Sequence, residues 1–314
     1  MTWVTWRQYR YQGALAAALL AALAVVLLIT GLHLAQVWHS ALAGCMKDGS
    51  CGGLSLQSPA LTTLVVGTSA VPLLPGLFWG AQMVAHELET GTNQFAWTQS
   101  ITRRRWLAVR TGWLLLAAAV LAGAVSALVT WWSGPGNALY GNAFEVNKFD
   151  VTDIAPVGYA VFAMSLGICA GTVLRRTLPA LAITLAGFVG IRALIAQSLR
   201  PHYLTPVTVY YNLMGPPPVT GSYLGVSQGV VGPNGKPPVG LGGYVFNGGP
   251  VPAACANAVQ NPAPCMVAHG YREYLAYQPA SRFWAFQGIE TGIFVVLAAV
   301  LLGITFWVLA RRDA

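Results

Sequence analysis

The sequence predicts an all-α polytopic membrane protein with six transmembrane helices. Three observations predict it. The 314-residue chain is 55% hydrophobic and only 8% charged, with a mean hydropathy of +0.58, whereas soluble domains carry about 25% charged residues. Its apolar runs reach about twenty residues, the length a helix needs to cross a hydrocarbon core. Those runs are continuous and do not alternate, which argues against a transmembrane barrel.

The expected spans are 14–34, 61–85, 107–132, 155–174, 177–197 and 288–309. Each is long enough for a core of roughly 30 Å at about 1.5 Å per residue. The first is too long for a cleaved signal peptide, and no small-residue cleavage site with a mature domain follows it. The second carries Pro72 and Pro75, so a kink is expected there.

Orientation follows from arginine. With the N-terminus inside, the cytoplasmic side holds Arg7, Arg10, Arg103, Arg104, Arg105, Arg110, Arg175, Arg176, Arg311 and Arg312 against only Glu87, Glu89 and Asp313. The outer side holds Lys47, Lys148, Arg200, Lys236, Arg272 and Arg282, nearly balanced by Asp48, Glu145, Asp150, Asp153 and Glu273. Both termini are therefore expected inside (N-in, C-in), in a multi-pass membrane protein. The net charge of +8 is explained by this retention, and no basic patch with a reading motif points to nucleic acid.

Residues 1–12, MTWVTWRQYRYQ, read as an interfacial helix with Trp3, Trp6, Arg7 and Arg10 on one side. Aromatics and snorkelling arginines suit the headgroup zone of the membrane lipid. The helix is either an elbow that moves with a partner or a simple topology anchor.

The outer segment 198–287 holds most of the prolines, including Pro216–Pro218 and Pro237–Pro238, and is glycine-rich. Such composition opposes long helices and central strands, so an irregular cap is expected, with or without a share in gating an exit path. The whole chain, 1–314, then reads as one transmembrane domain. Four cysteines fall outside. Short spacing favours Cys45 with Cys51 and Cys255 with Cys265, although four cysteines allow three pairings. Cys169 lies within a span and reads as a packing residue.

The cytoplasmic interruption HELETGTNQFAWTQSITRRRW, residues 86–106, carries the most information. Glu87 and Glu89 extend the second span beyond the bilayer. Gly91 breaks that helix, and Thr92 or Asn93 can cap a new short one. The short helix displays Phe95 and Trp97, which need either a groove in another protein or the inner leaflet. Arg103, Arg104 and Arg105 oppose the helix dipole at the start of the third span. They are explained instead by headgroup contact and inside retention.

The order acid-x-acid-x-Gly-Thr, an apolar pair, Thr-x-Ser-x-Thr-Arg and a basic span start resembles the first cytoplasmic loop of type-2 ATP-binding-cassette (ABC) exporter permeases. Here it reads ELETGTNQFAWTQSITRRRWLAVR, residues 87–110. TWRQYR at 5–10 and FWAFQGIETGIF at 283–294 are similar to motifs of an actinobacterial branch of that family. The match departs at Gln99, where many relatives outside this branch have proline. The resemblance implies a single permease domain and a second permease, as a homodimer or a heterodimer. It also implies a coupling helix over residues 91–101, seated on an ATP-binding subunit. Glu87, Glu89, Gly91, Thr92, Phe95, Trp97, Thr98 and Ser100 would make that contact. The predominantly apolar spans suggest a hydrophobic or amphipathic substrate: a drug, antibiotic, lipid or peptide. No G-x-x-x-x-G-K-[ST] phosphate loop occurs in the chain. ATP and Mg are thus expected on the partner ATPase, with no cofactor and no catalytic residue in this chain.

Arg192 lies within the fifth span, 16 residues beyond Arg176, roughly 24 Å along a helix. A charge at that depth costs about 2.5–3.5 kcal/mol on insertion scales. Glu290 lies 21 residues before Arg311, roughly 31 Å from the inner face. The two levels allow a structural or gating ion pair. Substrate binding, or Arg192 snorkelling alone, are the alternatives. Gly76/Gly80, Gly167/Gly171 and Gly288/Gly292 permit close helix approach, within the chain or at a dimer seam. The histidines, His33, His39, His86, His202 and His269, show no metal-ligand spacing. Two other functions compete with the exporter reading: an ion-coupled secondary transporter, and a non-transport scaffold or sensor.

Overall fold

A computed structural model of the chain describes residues 14, 18–33, 35–36, 40, 67–82, 103–140, 142–236, 240–246, 249–258 and 261–311. The chain divides into two compact units. One comprises Met1–Gly141, Glu145–Ile195 and Trp284–Ala314, and the other Asn142–Phe144 and Ala196–Phe283. The sequence reads as one domain with a cap, and the second unit falls close to the expected cap range.

The first unit is a bundle of apolar helices. Among the described residues, four helical stretches are long and apolar enough to cross a membrane: Ala108–Gly134, Ala155–Leu174, Thr177–His202 and Ala280–Arg311. Two shorter apolar stretches, Ala18–His33 and Val71–Ala81, fall within the first two expected spans. We label the helices α1 (Ala18–His33), α2 (Arg103–Tyr140), α3 (Val146–Phe149), α4 (Ala155–Leu174) and α5 (Thr177–Leu194). A sixth short helix, α6 (Ala263–Ala268), belongs to the second unit, and α7 (Phe283–Arg311) returns to the bundle.

The proline-bearing stretch is not a regular α-helix. Val71–Leu73 is a 3₁₀ turn with Pro72 in it, and Gly76–Ala81 is π-helical directly after Pro75. Proline lacks the N–H that an α-helical ladder requires, and a π turn re-registers the ladder beyond it.

Helix α4 is central. Sixteen of its twenty residues are buried, as suits a helix that is apolar all round. Ala160, Met164 and Ile168 of α4 pack on Leu114, Ala118 and Ala122 of α2. Both triplets repeat every four residues, so one ridge of each helix meets the other. The π turn packs still closer. A Cβ on Gly167 would lie 2.3 Å from the Gly76 carbonyl oxygen, and one on Gly80 would lie 2.8 Å from that of Met164. Gly76, Gly80 and Gly167 therefore serve packing within the chain. Gly288 and Gly292 have open space where a Cβ would stand. Cys169 is buried and free in α4.

Outward faces are apolar. Leu178, Val296 and Trp307 are 79%, 62% and 54% exposed, a surface that water would not tolerate over so many helices but a hydrocarbon core would. At the end of α7 the Arg311 guanidinium stacks 4.4 Å above the Trp307 ring, the pattern of an interfacial residue pair. A tight turn joins α4 to α5, with Arg175 in the left-handed region (φ 54°) and its N–H on the Gly171 carbonyl.

The second unit corrects the expectation of an irregular segment over 198–287. It carries strands β1 (Val207–Tyr211), β2 (Tyr223–Val231), β3 (Gly240–Phe246), β4 (Gly249–Pro252) and β5 (Arg272–Pro279). β5 is the centre of an antiparallel sheet in the order β1-β5-β2, and β3 pairs with β4. The prolines do not prevent this because in the three-stranded sheet they stand outside the strand interiors, while Pro250 and Pro252 lie on β4, an edge strand of the two-stranded pair where proline is tolerated. Pro216–Pro218 falls between β1 and β2, and Pro279 closes β5. The central strand REYLAYQP is rich in β-favouring aromatic residues. The unit has a small core of Leu213, Val230, Val251, Cys255 and Met266. Cys255 and Cys265 are disulfide-bonded within it.

Candidate functional site

Among the described residues, a polar cluster lies inside the bundle among α4, α5, α7 and the turn after α3. It is built from Asp150, Tyr159, Arg192, Gln287 and Glu290. Helix α3 ends at Phe149, and the chain turns through Asp150–Ile154 before Ala155 and Pro156 open α4. That turn is held at Asp153 by one face of α2. Ser126 donates to the Asp153 carbonyl (2.6 Å), and the Asp153 N–H donates to Thr130 Oγ1 (3.0 Å). Asp153 itself is in the left-handed region (φ 59°), which acidic and amide residues tolerate better than most. Burial pushes its carboxyl above the ordinary carboxylate range, and a Thr152 side-chain hydrogen bond opposes that rise.

Held this way, Asp150 receives the Arg192 guanidinium. Arg192 Nη2 and Nε lie 2.9 and 3.2 Å from Asp150 Oδ2, and Nη1 donates to the Ser69 carbonyl at 2.8 Å. The guanidinium also lies 4.9 Å from the Tyr159 ring centre and 5.8 Å from that of Phe188. The Tyr159 hydroxyl contacts Glu290 Oε1 at 2.5 Å and Asp150 Oδ1 at 3.2 Å. Gln287 bridges the same region: its Oε1 accepts the Ala155 N–H (2.8 Å), and its Nε2 donates to the Phe149 carbonyl (3.1 Å). Glu290 and Gln287 are fully buried.

Arg192 and Glu290, which the sequence pairs by depth, thus enter one cluster. The ion-pair partner of Arg192 is Asp150, and Tyr159 links Asp150 to Glu290. Depth along a helix can be counted from sequence, but the azimuth that selects the partner cannot. Asp150 reads from sequence only as an outer-side acid, and Tyr159 and Gln287 have no assigned part there. One signal was available, since Gln287 and Glu290 stand three apart on an otherwise apolar helix and so share a face.

A continuous aromatic stack supports the cluster. Tyr159 meets Phe294 edge-on at 4.8 Å, Phe294 meets Phe162 at 5.2 Å, and Phe162 stacks on Phe188 at 6.3 Å. Gly158 lets α4 approach α7, because a Cβ there would lie 3.1 Å from the Thr291 Cα. The arrangement joins three apolar helices and the broken segment at Ser69 by groups that are costly to separate in a low-dielectric setting.

In the second unit, Gln278 and Arg282 tie the end of β5 to the chain at 201–205 through bonds to the Pro201, Leu204 and Thr205 carbonyls. Burial, then the negative charge of Glu273, pushes the Tyr211 phenol up. His269, which showed no ligand spacing in sequence, lies beside the disulfide with its Nδ1 3.8 Å from Cys265 Sγ. Glu87, Glu89, Gly91, Thr92, Phe95, Trp97, Thr98 and Ser100 lie outside the described residues, as do Trp3, Trp6, Arg7, Arg10, Cys45 and Cys51.

The family model for ABC-2 membrane transporter related proteins matches residues 17–200, more than half of the chain. The chain belongs to this ABC-2 transporter-related family. Comparisons with curated proteins and with solved structures give no match. The matched stretch of this ABC-2 family member includes Asp150, Tyr159 and Arg192 as well as the loop ELETGTNQFAWTQSITRRRW. Family membership and the four long apolar helices make it a membrane-embedded protein of the ABC transporter class.

Proposed function

We propose that this chain is the permease subunit of an ATP-driven ABC exporter that moves a hydrophobic or amphipathic substrate such as a drug, antibiotic, lipid or peptide. A separate ATP-binding subunit supplies ATP hydrolysis and seats on the coupling helix at 91–101. A second permease, most simply another copy of this chain, completes the path in a bacterial plasma membrane. The observation that carries this reading is the family match over residues 17–200, which contains that loop. The polar cluster around Arg192 supports a specific part for the bundle. It binds α4, α5 and α7 together, so a push delivered at the loop would move them as one body.

The test is co-purification with a candidate ATP-binding subunit. Phe95→Asp and Trp97→Asp should each abolish complex formation and the permease-dependent change in ATP turnover. Unchanged binding and turnover in both variants would sink the coupling-helix assignment. The buried Glu290 favours one competing reading, an ion-coupled transporter. Transport that persists without ATP but stops with a protonophore would select that reading instead.

A further inference from the structure

We infer that the Cys255–Cys265 disulfide is a thiol-exchange site, with His269 moving the protons. The two sulfurs differ in access. Cys255 is 1% exposed and packs in the small core with Met266, whereas Cys265 is partly open at the surface of α6. His269 is exposed, and its Nδ1 lies 3.8 Å from Cys265 Sγ and 4.0 Å from Cys255 Sγ. The same Nδ1 lies 2.9 Å from the Cys265 carbonyl oxygen. A carbonyl can only accept, so Nδ1 carries a hydrogen and Nε2 holds the lone pair. The ligand atoms of Cys255, Cys265 and His269 all lie within 4.8 Å of one another, but the two sulfurs are spent on each other, which makes exchange rather than metal binding the chemistry at hand.

Disulfide exchange runs by attack of a thiolate on one sulfur with the other leaving. Access directs the attack to Cys265 and makes Cys255 the leaving sulfur. A small thiol gives its proton to His269 Nε2, and its sulfur bonds to Cys265 Sγ. The Sγ–Sγ bond breaks, and its electron pair goes to Cys255 Sγ, which takes the proton from Nδ1. The imidazole ends neutral, with its hydrogen on Nε2. The balance is one thiol and one disulfide in, one mixed disulfide at Cys265 and one thiol at Cys255 out. A second equivalent of the thiol then frees Cys265. The consequence is an opened staple between Ala253–Ala258 and α6, and a loosened core beneath it.

The test uses the full-length protein in detergent with excess reduced glutathione, acid quenching and peptide mapping by mass spectrometry. Glutathione should appear on Cys265, with a free thiol at Cys255. His269→Gln should slow the adduct at least about tenfold at neutral pH, since general acid–base help is worth about 10²–10⁴. That gap should narrow at alkaline pH, where the thiol is already ionised. An adduct on Cys255, no adduct on either residue, or equal rates in His269→Gln would overturn the proposal. So would a Zn(II) ion held by the purified protein in place of the disulfide. Should His269→Gln fail to form the disulfide, the wild-type pH profile decides: a rate that follows only the thiolate fraction of glutathione overturns the role of His269.

Discussion

Arg192, partly buried, and Asp150, buried, form an ion pair with 2.9 Å between Nη2 and Oδ2, across 42 residues of sequence. The turn that carries Asp150 is anchored at Asp153 by Ser126 and Thr130 from α2. The pair is therefore a readout of how three separate segments are held, and each of them can be tested.

Removing either charge should strand the other in the bundle. Arg192→Ala should leave the buried Asp150 carboxylate without its partner and cost up to about 3 kcal/mol, the lower end of the penalty for breaking a buried pair from one side, because Arg192 is itself only partly buried. Tyr159→Phe keeps the ring under the guanidinium and against Phe294 but removes the hydroxyl link to Glu290, and should cost about 1–3 kcal/mol. The swap of Arg192→Asp with Asp150→Arg should regain part of the lost stability, whereas Arg192→Glu with Glu290→Arg should regain none. Thermal melting of the purified variants in one detergent measures all of these.

Gly167→Ala should fail to yield folded protein or melt far below wild type. Its Cβ would meet the Gly76 carbonyl and the Ala81 amide nitrogen, both of which are backbone atoms that cannot rotate away. Overpacking usually costs about 1–3 kcal/mol where side chains can yield, and here they cannot. Gly288→Ala, with open space at its Cβ, should melt like wild type. Size-exclusion profiles of the two variants provide the check.

Asp153→Asn should stabilise the protein at neutral pH. The folded-state pKa of Asp153 is raised by burial, so the protonated form is favoured by folding. The contribution is fully present below the unfolded value of about 3.9 and is lost as pH rises through the folded value. Above it the wild type carries the cost of a partly buried charge, and asparagine carries none while still tolerating φ 59°. Melting temperatures of the two proteins should differ at pH 7 and converge near the acid end of the range.

Read alone, the amino-acid sequence carries the membrane class of this protein and the place of four long apolar helices. The continuous apolar runs at 155–174 and 177–197 fall on Ala155–Leu174 and on the helix that starts at Thr177 and ends at Leu194, because a bilayer imposes one length and one backbone solution on a span. It also placed Arg192 and Glu290 at comparable depth, since rise per residue is constant along a helix. Tertiary structure decided the rest. Which residue faces Arg192 depends on helix rotation and on the Asp150 turn, neither of which has a local signal. The β1-β5-β2 sheet was hidden by prolines that turn out to lie between strands and at a strand end, because pairing between Val207–Tyr211 and Arg272–Pro279 is a contact across more than sixty residues. Long-range pairing of that kind rewards the chain only once both partners are in place, so no window of sequence contains it.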